Sequence, residues 1–357
     1  MLLADLGAEV IRFDRPESLG QDVSQSPQRV LFRGRKSVLV DLKSPQGRDV
    51  ALRILDKADA LIEGFRPGVM ERLGLGPEVL AERNPRLIYG RMTGWGQDGP
   101  LSQAAGHDIN YVALSGALHY IGEAGRKPVP PLNLVGDFGG GGLLLAFGIL
   151  AAVHERSISG KGQVVDAAMV DGAAALMAMF HGARDSLGRH LADRGEGLLN
   201  GGAHYYNTYE TADGRYISIG SMERKFYVQL IDLLGVDGCD SQDPADWPEN
   251  SERFAAAFKT RTRDEWCKLL EGTDVCFAPV LSLDEVYEHP HHVARGSYIE
   301  IDGVPQPVPA PRFGRSPATV PVPQPQPGAH TRDVLAAAGI TDAELERLVA
   351  EGAIAGR

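Results

Sequence analysis

Four short apolar, β-prone runs, at 9–13, 37–41, 60–63 and 87–92, alternate with helix-like stretches such as 46–57 and 79–84. Strand and helix in turn at this spacing imply βαβ units, and therefore a parallel sheet covered by helices. Each run closes on polar or glycine-bearing residues: Asp14-Arg15-Pro16, Asp41-Leu42-Lys43-Ser44, Glu63-Gly64-Phe65-Arg66-Pro67 and Thr93-Gly94-Trp95-Gly96. The carboxyl ends of parallel strands are where open α/β sheets hold ligands. No GxGxxG turn leads from a strand into a helix and no GxxxxGK[ST] is present, so the dinucleotide and P-loop fingerprints are absent.

Charge narrows the ligand. The net charge of −11 argues against a dedicated nucleic-acid binder. Residues 1–100 nevertheless hold 15 Lys/Arg against 14 Asp/Glu, and 12–48 holds eight basic residues against four acidic ones. A basic segment in an acidic protein suits a polyanionic small ligand, although a solvated face of mixed charge reads the same way. Cys239, Cys267 and Cys276 have no CxxC spacing, which excludes a disulfide framework and the usual zinc patterns and fits a reducing compartment. The N-terminus has no secretory pattern and the apolar run 141–153 is shorter than a bilayer span, so the chain is expected to be soluble and intracellular.

Downstream, an apolar helix is expected over 138–155 after a glycine run, then a short strand leading into a second apolar helix over 163–180. Residues 201–222 suggest a hairpin about Ala212-Asp213-Gly214, followed by helices near 225–234, 251–258 and 263–270 as a smaller α+β unit. Nine prolines between Pro305 and Pro327 require an extended surface linker, and Thr341-Asp342-Ala343-Glu344 forms a capping box for a last helix over 342–351.

The residues best suited to chemistry are His107, in Gly106-His107-Asp108-Ile109-Asn110-Tyr111, and Asp137, on a glycine-rich turn expected to precede a helix. An imidazole titrates near neutrality, and a helix start offers amides for a developing anion, so the two could form an acid/base pair. Read alone, His107 could equally be one structural histidine among ten, and Asp137 an N-cap. His289-Pro290-His291-His292 lacks a carboxylate or cysteine at ligand spacing and reads as a helix end rather than a metal site. Met169, Met177 and Met179, around a small-residue helix, are expected to pack in the core rather than to line an acyl site.

Taken together, Asp14-Arg15-Pro16, Asp41-Leu42-Lys43-Ser44, Arg66-Pro67-Gly68, the Tyr89-Gly90-Arg91-Met92-Thr93-Gly94-Trp95-Gly96-Gln97 segment, Gly106-His107-Asp108 and Gly136-Asp137-Phe138-Gly139-Gly140-Gly141 resemble the class III CoA-transferase superfamily, in particular its α-methylacyl-CoA racemase branch. The resemblance covers essentially the whole chain. It implies an interlocked homodimer, each protomer with a Rossmann-like parallel-sheet large domain and a smaller α+β domain. The implied division is a first part of the CoA-binding large domain at 1–185, the small domain with linker at 186–300, and the Pro-rich linker and C-terminal helix, returning to the large domain, at 301–357.

By the same resemblance the ligand is an acyl-CoA, met by Arg15, Val40, Asp41, Leu42, Lys43, Gly64, Phe65, Arg66 and Arg72, with Gly106, Asp108 and Tyr111 beside it. His107 and Asp137 match the two acid/base residues, Glu223 a glutamate reaching His107 from the partner subunit, and Asn133 a residue orienting Asp137. No metal or redox cofactor is implied. Relatives begin with an earlier strand and helix, whereas this chain opens at Leu2-Leu3-Ala4-Asp5-Leu6-Gly7, so a strand of the large domain is expected to be missing. The runner-up is CoA transfer with Asp137 as nucleophile, which has no need of a base at His107. A non-catalytic acyl-CoA binder would keep Arg15, Lys43 and Arg66 but need neither His107 nor Asp137.

Overall fold

The computed structural model describes residues 1–183 and 193–356. The chain forms two compact units, one from Met1–Gly106, Phe138–Gly172 and Tyr287–Arg357, the other from His107–Asp137 and Ala173–Val286. The boundary expected between 185 and 186 lies outside the described residues.

In the first unit, β1 (Val10–Asp14) pairs in parallel with β2 (Arg35–Val40), whose other edge takes the short antiparallel strand Ile354–Ala355. A second sheet has the order β3 (Ala60–Glu63), β4 (Ile88–Thr93), β5 (Val164–Ala168), parallel throughout. All four expected runs are strands, and helix Pro77–Arg83 lies between β3 and β4 of one sheet as a βαβ unit requires, whereas Pro45–Leu55 leads from β2 of the first sheet to β3 of the second. Val38, Leu39 and Val40 are buried at consecutive positions, as in a strand covered on both faces. Val334, Leu335, Leu345, Leu348 and Ile354 complete that core from the C-terminal segment.

A helix of 26 residues, Leu134–Ser159, opens in wide π-type turns over Leu134–Leu143 and continues as α-helix from Leu144. Asp137 therefore sits inside a helix and not on a turn before one, and the glycines at 139–142 are helical. Another helix, Met169–Leu176, packs here backbone to backbone: a Cβ on its Gly172 would lie 1.8 Å from the Gly140 carbonyl oxygen, so only glycine fits at 172. The helix also outruns the apolar stretch read from the sequence, with a mean hydropathy of 1.7 over its most apolar window, and is long and apolar enough to cross a membrane. Its inner face, Leu145, Ile149 and Ala152, packs with Ile88 and Ala167 of the sheet. Gly90 leaves room for this, since a Cβ there would meet Leu145 and Ile149 at 3.0 and 3.2 Å. Leu143, Phe147, Leu150 and Ile158, on the other side, are each more than half exposed.

The second unit is built on an antiparallel sheet, β6 (Tyr206–Glu210), β7 (Tyr216–Gly220) and β8 (Phe277–Pro279), with helices Arg224–Leu234, Trp247–Phe258 and Arg263–Leu270. Tyr227, Phe254, Phe258 and Trp266, all buried, make its core aromatic. In the first unit, strands Tyr298–Ile301 and Val304–Pro307 form a second hairpin, turned by Asp302 and Gly303, both at positive φ. Arg33, buried against Asp5 at 2.7 Å, also donates to Gln306 Oε1 and the Pro307 carbonyl, tying the start of the Pro-rich stretch to the sheet region.

Candidate active site

His107 occupies the N-cap of the Asp108–Leu114 helix in an extended conformation, with its backbone N–H donated to Asn110 Oδ1 at 3.0 Å. This fixes the main chain and leaves the imidazole exposed. The next residue, Asp108, turns inward and is 7% exposed. Its Oδ1 accepts the backbone N–H of Asp137 at 2.7 Å. Asp137 in turn accepts at Oδ2 from Asn133 Nδ2, 3.1 Å away. Asn133 follows Leu132, a non-glycine residue at φ 57°, a left-handed conformation costly for a branched side chain and recurrent at functional sites.

Thus His107, Asp108, Asn133 and Asp137 belong to one unit and are linked, directly or through one peptide bond, across a gap of 30 residues. Tyr111, expected beside the ligand, is buried on the same helix. Its phenol is raised above its ordinary value by burial and, secondarily, by the Asp137 carboxylate. The amide of Asp137 was expected among the donors for a developing anion, but it is engaged by Asp108.

Glu223 stands at the N-cap position of the Arg224–Leu234 helix without a side-chain capping bond, is exposed, and makes no hydrogen bond to His107 within the protomer. It lies near Cys276, whose thiol is raised mainly by burial and then by the Glu223 charge.

In the other unit, the strand ends expected to hold CoA carry exposed cations: Arg15 after β1, Lys43 after β2 and Arg66 after β3. The Asp41–Ser44 turn is locked, with Asp41 Oδ1 accepting from Lys43 N at 3.0 Å and Ser44 capping the next helix at Gly47 N. Val40 is core, so only its backbone can face a ligand, and Leu42 packs against two of the hydrophobic clusters. Gly64, Phe65 and Arg66 form an exposed loop, and Arg72 folds back toward Gly68, whose Cβ would lie 3.2 Å from the guanidinium.

A group that sequence reasoning missed fixes this loop. Glu63, 5% exposed, accepts from Phe65 N at 2.7 Å through Oε2 and from Arg91 Nε at 3.0 Å through Oε1, while Arg91 Nη1 reaches Glu71 at 2.9 Å. Burial raises the Glu63 carboxyl despite these donors. The available signal was a carboxylate and an arginine as inward residues of adjacent strands, paired at Glu63 and Arg91.

An apolar cavity of about 220 Å³ in the second unit is lined by Tyr120, Ile121, Val135, Met177 and Phe180 among others. Met177 is therefore on a cavity wall, and Met179 is exposed, so neither fills a sealed core as expected. Met177 is the turn residue between helices Met169–Leu176 and Ala178–Ala183. His289 caps the start of the short helix Pro290–Arg295 through Nδ1. No group of three metal-capable side chains occurs among the described residues.

The model of CoA-transferase family III matches residues 1–331. Proteins named alpha-methylacyl-CoA racemase from Mus musculus and Homo sapiens are each 45% identical, over 354 and 361 aligned residues, covering 98% of this chain and 91% of either relative. Among solved structures, a CAIB/BAIF family protein from Brucella suis aligns with a TM-score of 0.80 at 26% identity, covering 94% of this chain and 93% of that one.

Proposed function

The chain belongs to CoA-transferase family III, and we propose that it is an isomerase inverting the α-carbon of 2-methylacyl-CoA thioesters. What joins the two proton-transfer groups is Asp108, peptide-bonded to His107 and hydrogen-bonded to the Asp137 amide. Likeness over 98% of this chain to relatives named as racemases favours inversion over transfer.

The α-proton of a thioester is acidic because the electron pair left on carbon delocalises onto the carbonyl oxygen. Neutral His107 takes that proton from one face, and Asp137, in its acid form, returns a proton to the other; the carbonyl re-forms with the centre inverted. The two groups finish in exchanged protonation states, ready for the opposite enantiomer or for exchange with solvent. Asn133 orients the Asp137 carboxyl. Since the Asp137 amide is engaged by Asp108, and the Asn110 and Tyr111 amides bond the His107 carbonyl, the enolate oxygen is met by other donors. Proton transfer balances without a metal or redox cofactor.

Arg15, Lys43, Arg66 and Arg72 meet the phosphates and adenine end of CoA, with the 40–43 and 64–66 backbones alongside and Gly106 and Tyr111 nearer the thioester. The exposed apolar stripe of Leu143, Phe147, Leu150 and Ile158 supports a homodimer, in which the exposed Glu223 of one protomer reaches His107 of the other. Three free cysteines suit the cytoplasm. The family description favours one second chemistry, in which the Asp137 carboxylate attacks an acyl-CoA and carries CoA to another acid.

Incubating the protein with one enantiomer of a 2-methylacyl-CoA in D₂O, without acceptor acid, separates the two. Deuteration with inversion is expected. No exchange, together with CoA transfer once a carboxylic acid is added, would assign the transferase.

A further inference from the structure

Asp108 is better placed to hold the catalytic pair than to touch the ligand. Its side chain is buried, and its Oδ1 lies 2.7 Å from the Asp137 backbone nitrogen. That nitrogen belongs to the first turn of the Leu134–Ser159 helix, one of the four amides that a helix start leaves without an internal acceptor. Asp108, 29 residues away in sequence, therefore caps this helix from outside it, and its negative charge suits the helix's N-terminal end. Gly136 is shaped to the same contact, because a Cβ there would stand 2.4 Å from Asp108 Oδ1 and 2.9 Å from Cγ. Any side chain at 136 would push the carboxylate off the Asp137 amide.

We propose that Asp108 is a positioning residue that sets the distance between the two proton-transfer groups. It is bound covalently to His107 on one side and holds the main chain of Asp137 on the other. Removing the carboxylate frees Asp137, which then depends on Asn133 alone, while His107 keeps its own anchor through Asn110 Oδ1. The loss is therefore one-sided. The enantiomer deprotonated by His107 still exchanges its α-proton with solvent, whereas the enantiomer deprotonated by Asp137 does not, and inversion fails from both. A helix cap acting only on folding would depress the two exchange rates equally.

The inference rests on the racemase reading, and its test keeps the two apart. Each pure enantiomer of a 2-methylacyl-CoA is incubated in D₂O with wild-type protein, Asp108→Ala and Asp108→Asn, and α-deuteration and configuration are followed separately. In Asp108→Ala the two exchange rates should diverge by more than about tenfold, as expected when a reacting group is displaced by a fraction of an ångström. The KM should stay within about twofold, because the carboxylate does not meet CoA. Asp108→Asn keeps an acceptor oxygen and should restore most of the lost rate. If Asp108→Ala does not fold, Gly136→Ala should produce the same divergence from the other side of the contact.

Equal losses for both enantiomers in a folded variant would overturn the assignment alone. So would a raised KM with unchanged kcat, which would make Asp108 a CoA contact. Wild-type protein that exchanges neither enantiomer would overturn the racemase reading and this inference with it.

Discussion

Asn133 Nδ2 and Asp137 Oδ2 stand 3.1 Å apart, so the amide, just before the helix start, holds one oxygen of the carboxylate four residues on. Asn133→Ala should lower kcat by about ten- to a hundredfold with little change in KM, since the bond orients a reacting group rather than binding substrate. Steady-state kinetics on either enantiomer checks this. Asn133→Asp should be worse, because it sets a second carboxylate against the first.

Glu63 and Arg91 predict a different signature. Arg91→Met leaves the buried Glu63 without its guanidinium and loosens the Phe65 amide that Glu63 holds. Removing one partner of a buried pair costs about 3 to 5 kcal/mol. The effect on function should fall on CoA affinity: inhibition by free CoA should weaken by about tenfold while kcat changes little. A fall in kcat with unchanged CoA inhibition would detach the pair from the 64–66 loop.

Acid should weaken the second unit through His204. Tyr227 donates its hydroxyl to the Cys239 carbonyl, so His204 Nε2 must be the donor in its 2.7 Å bond to Tyr227. Nδ1 is buried without a hydrogen-bond partner among the described residues, and Tyr205 and Phe254 pack edge-on to the ring. Burial pushes the imidazole from 6.5 to about 4. The folded form therefore resists a proton that the unfolded chain accepts. Stability is full above about pH 6.5 and is lost progressively down to about pH 4. By linkage the loss reaches about 3 kcal/mol. Urea titrations across this range should show a decline for wild type and a flatter curve for His204→Gln.

Arg33 should be the costliest surface-distant charge to remove from the first unit. With 2% of its side chain exposed, it is held by Asp5, Gln306 and the Pro307 carbonyl. Arg33→Ala would strand Asp5 in the interior and should lower stability by about 3 to 5 kcal/mol. Thermal unfolding measures this directly, and an unchanged Tm would mean that Asp5 finds water.

Where a segment's local preference and its packing agree, the fold was legible. The four strand runs and the helix at Arg263–Leu270, opened by the Thr262–Glu265 capping box, stand where periodicity put them. The helix read over 138–155 starts earlier, at Leu134, and so takes in Asp137, because the glycines at 139–142 disfavour a helix locally and hide its true beginning. Strand Phe277–Pro279 is three residues long and ends in proline, too little pattern to see. The Asp302-Gly303 hairpin carried a usable turn signal that was absorbed into the proline-rich linker. At the candidate site, a resemblance in motifs singled out His107, Asn133 and Asp137, which the structure brings together, but the Asp108 carboxylate's contact with the Asp137 amide joins distant segments and has no local signature.

The path of the chain also bears on how such an enzyme can be divided. The second unit's first segment runs His107–Asp137, so the two residues proposed to transfer protons are its opening and closing positions, each at a crossing of the backbone from one unit to the other. A gene fragment ending at Gly106 would retain Arg15, Lys43, Arg66 and Arg72 yet stop one codon short of His107. Grafting in the other direction requires two junctions, each abutting a residue of the acid/base pair. Recombination can thus exchange the distal part of the second unit, from Ala173 to Val286, far more freely than it can move the chemistry onto another scaffold.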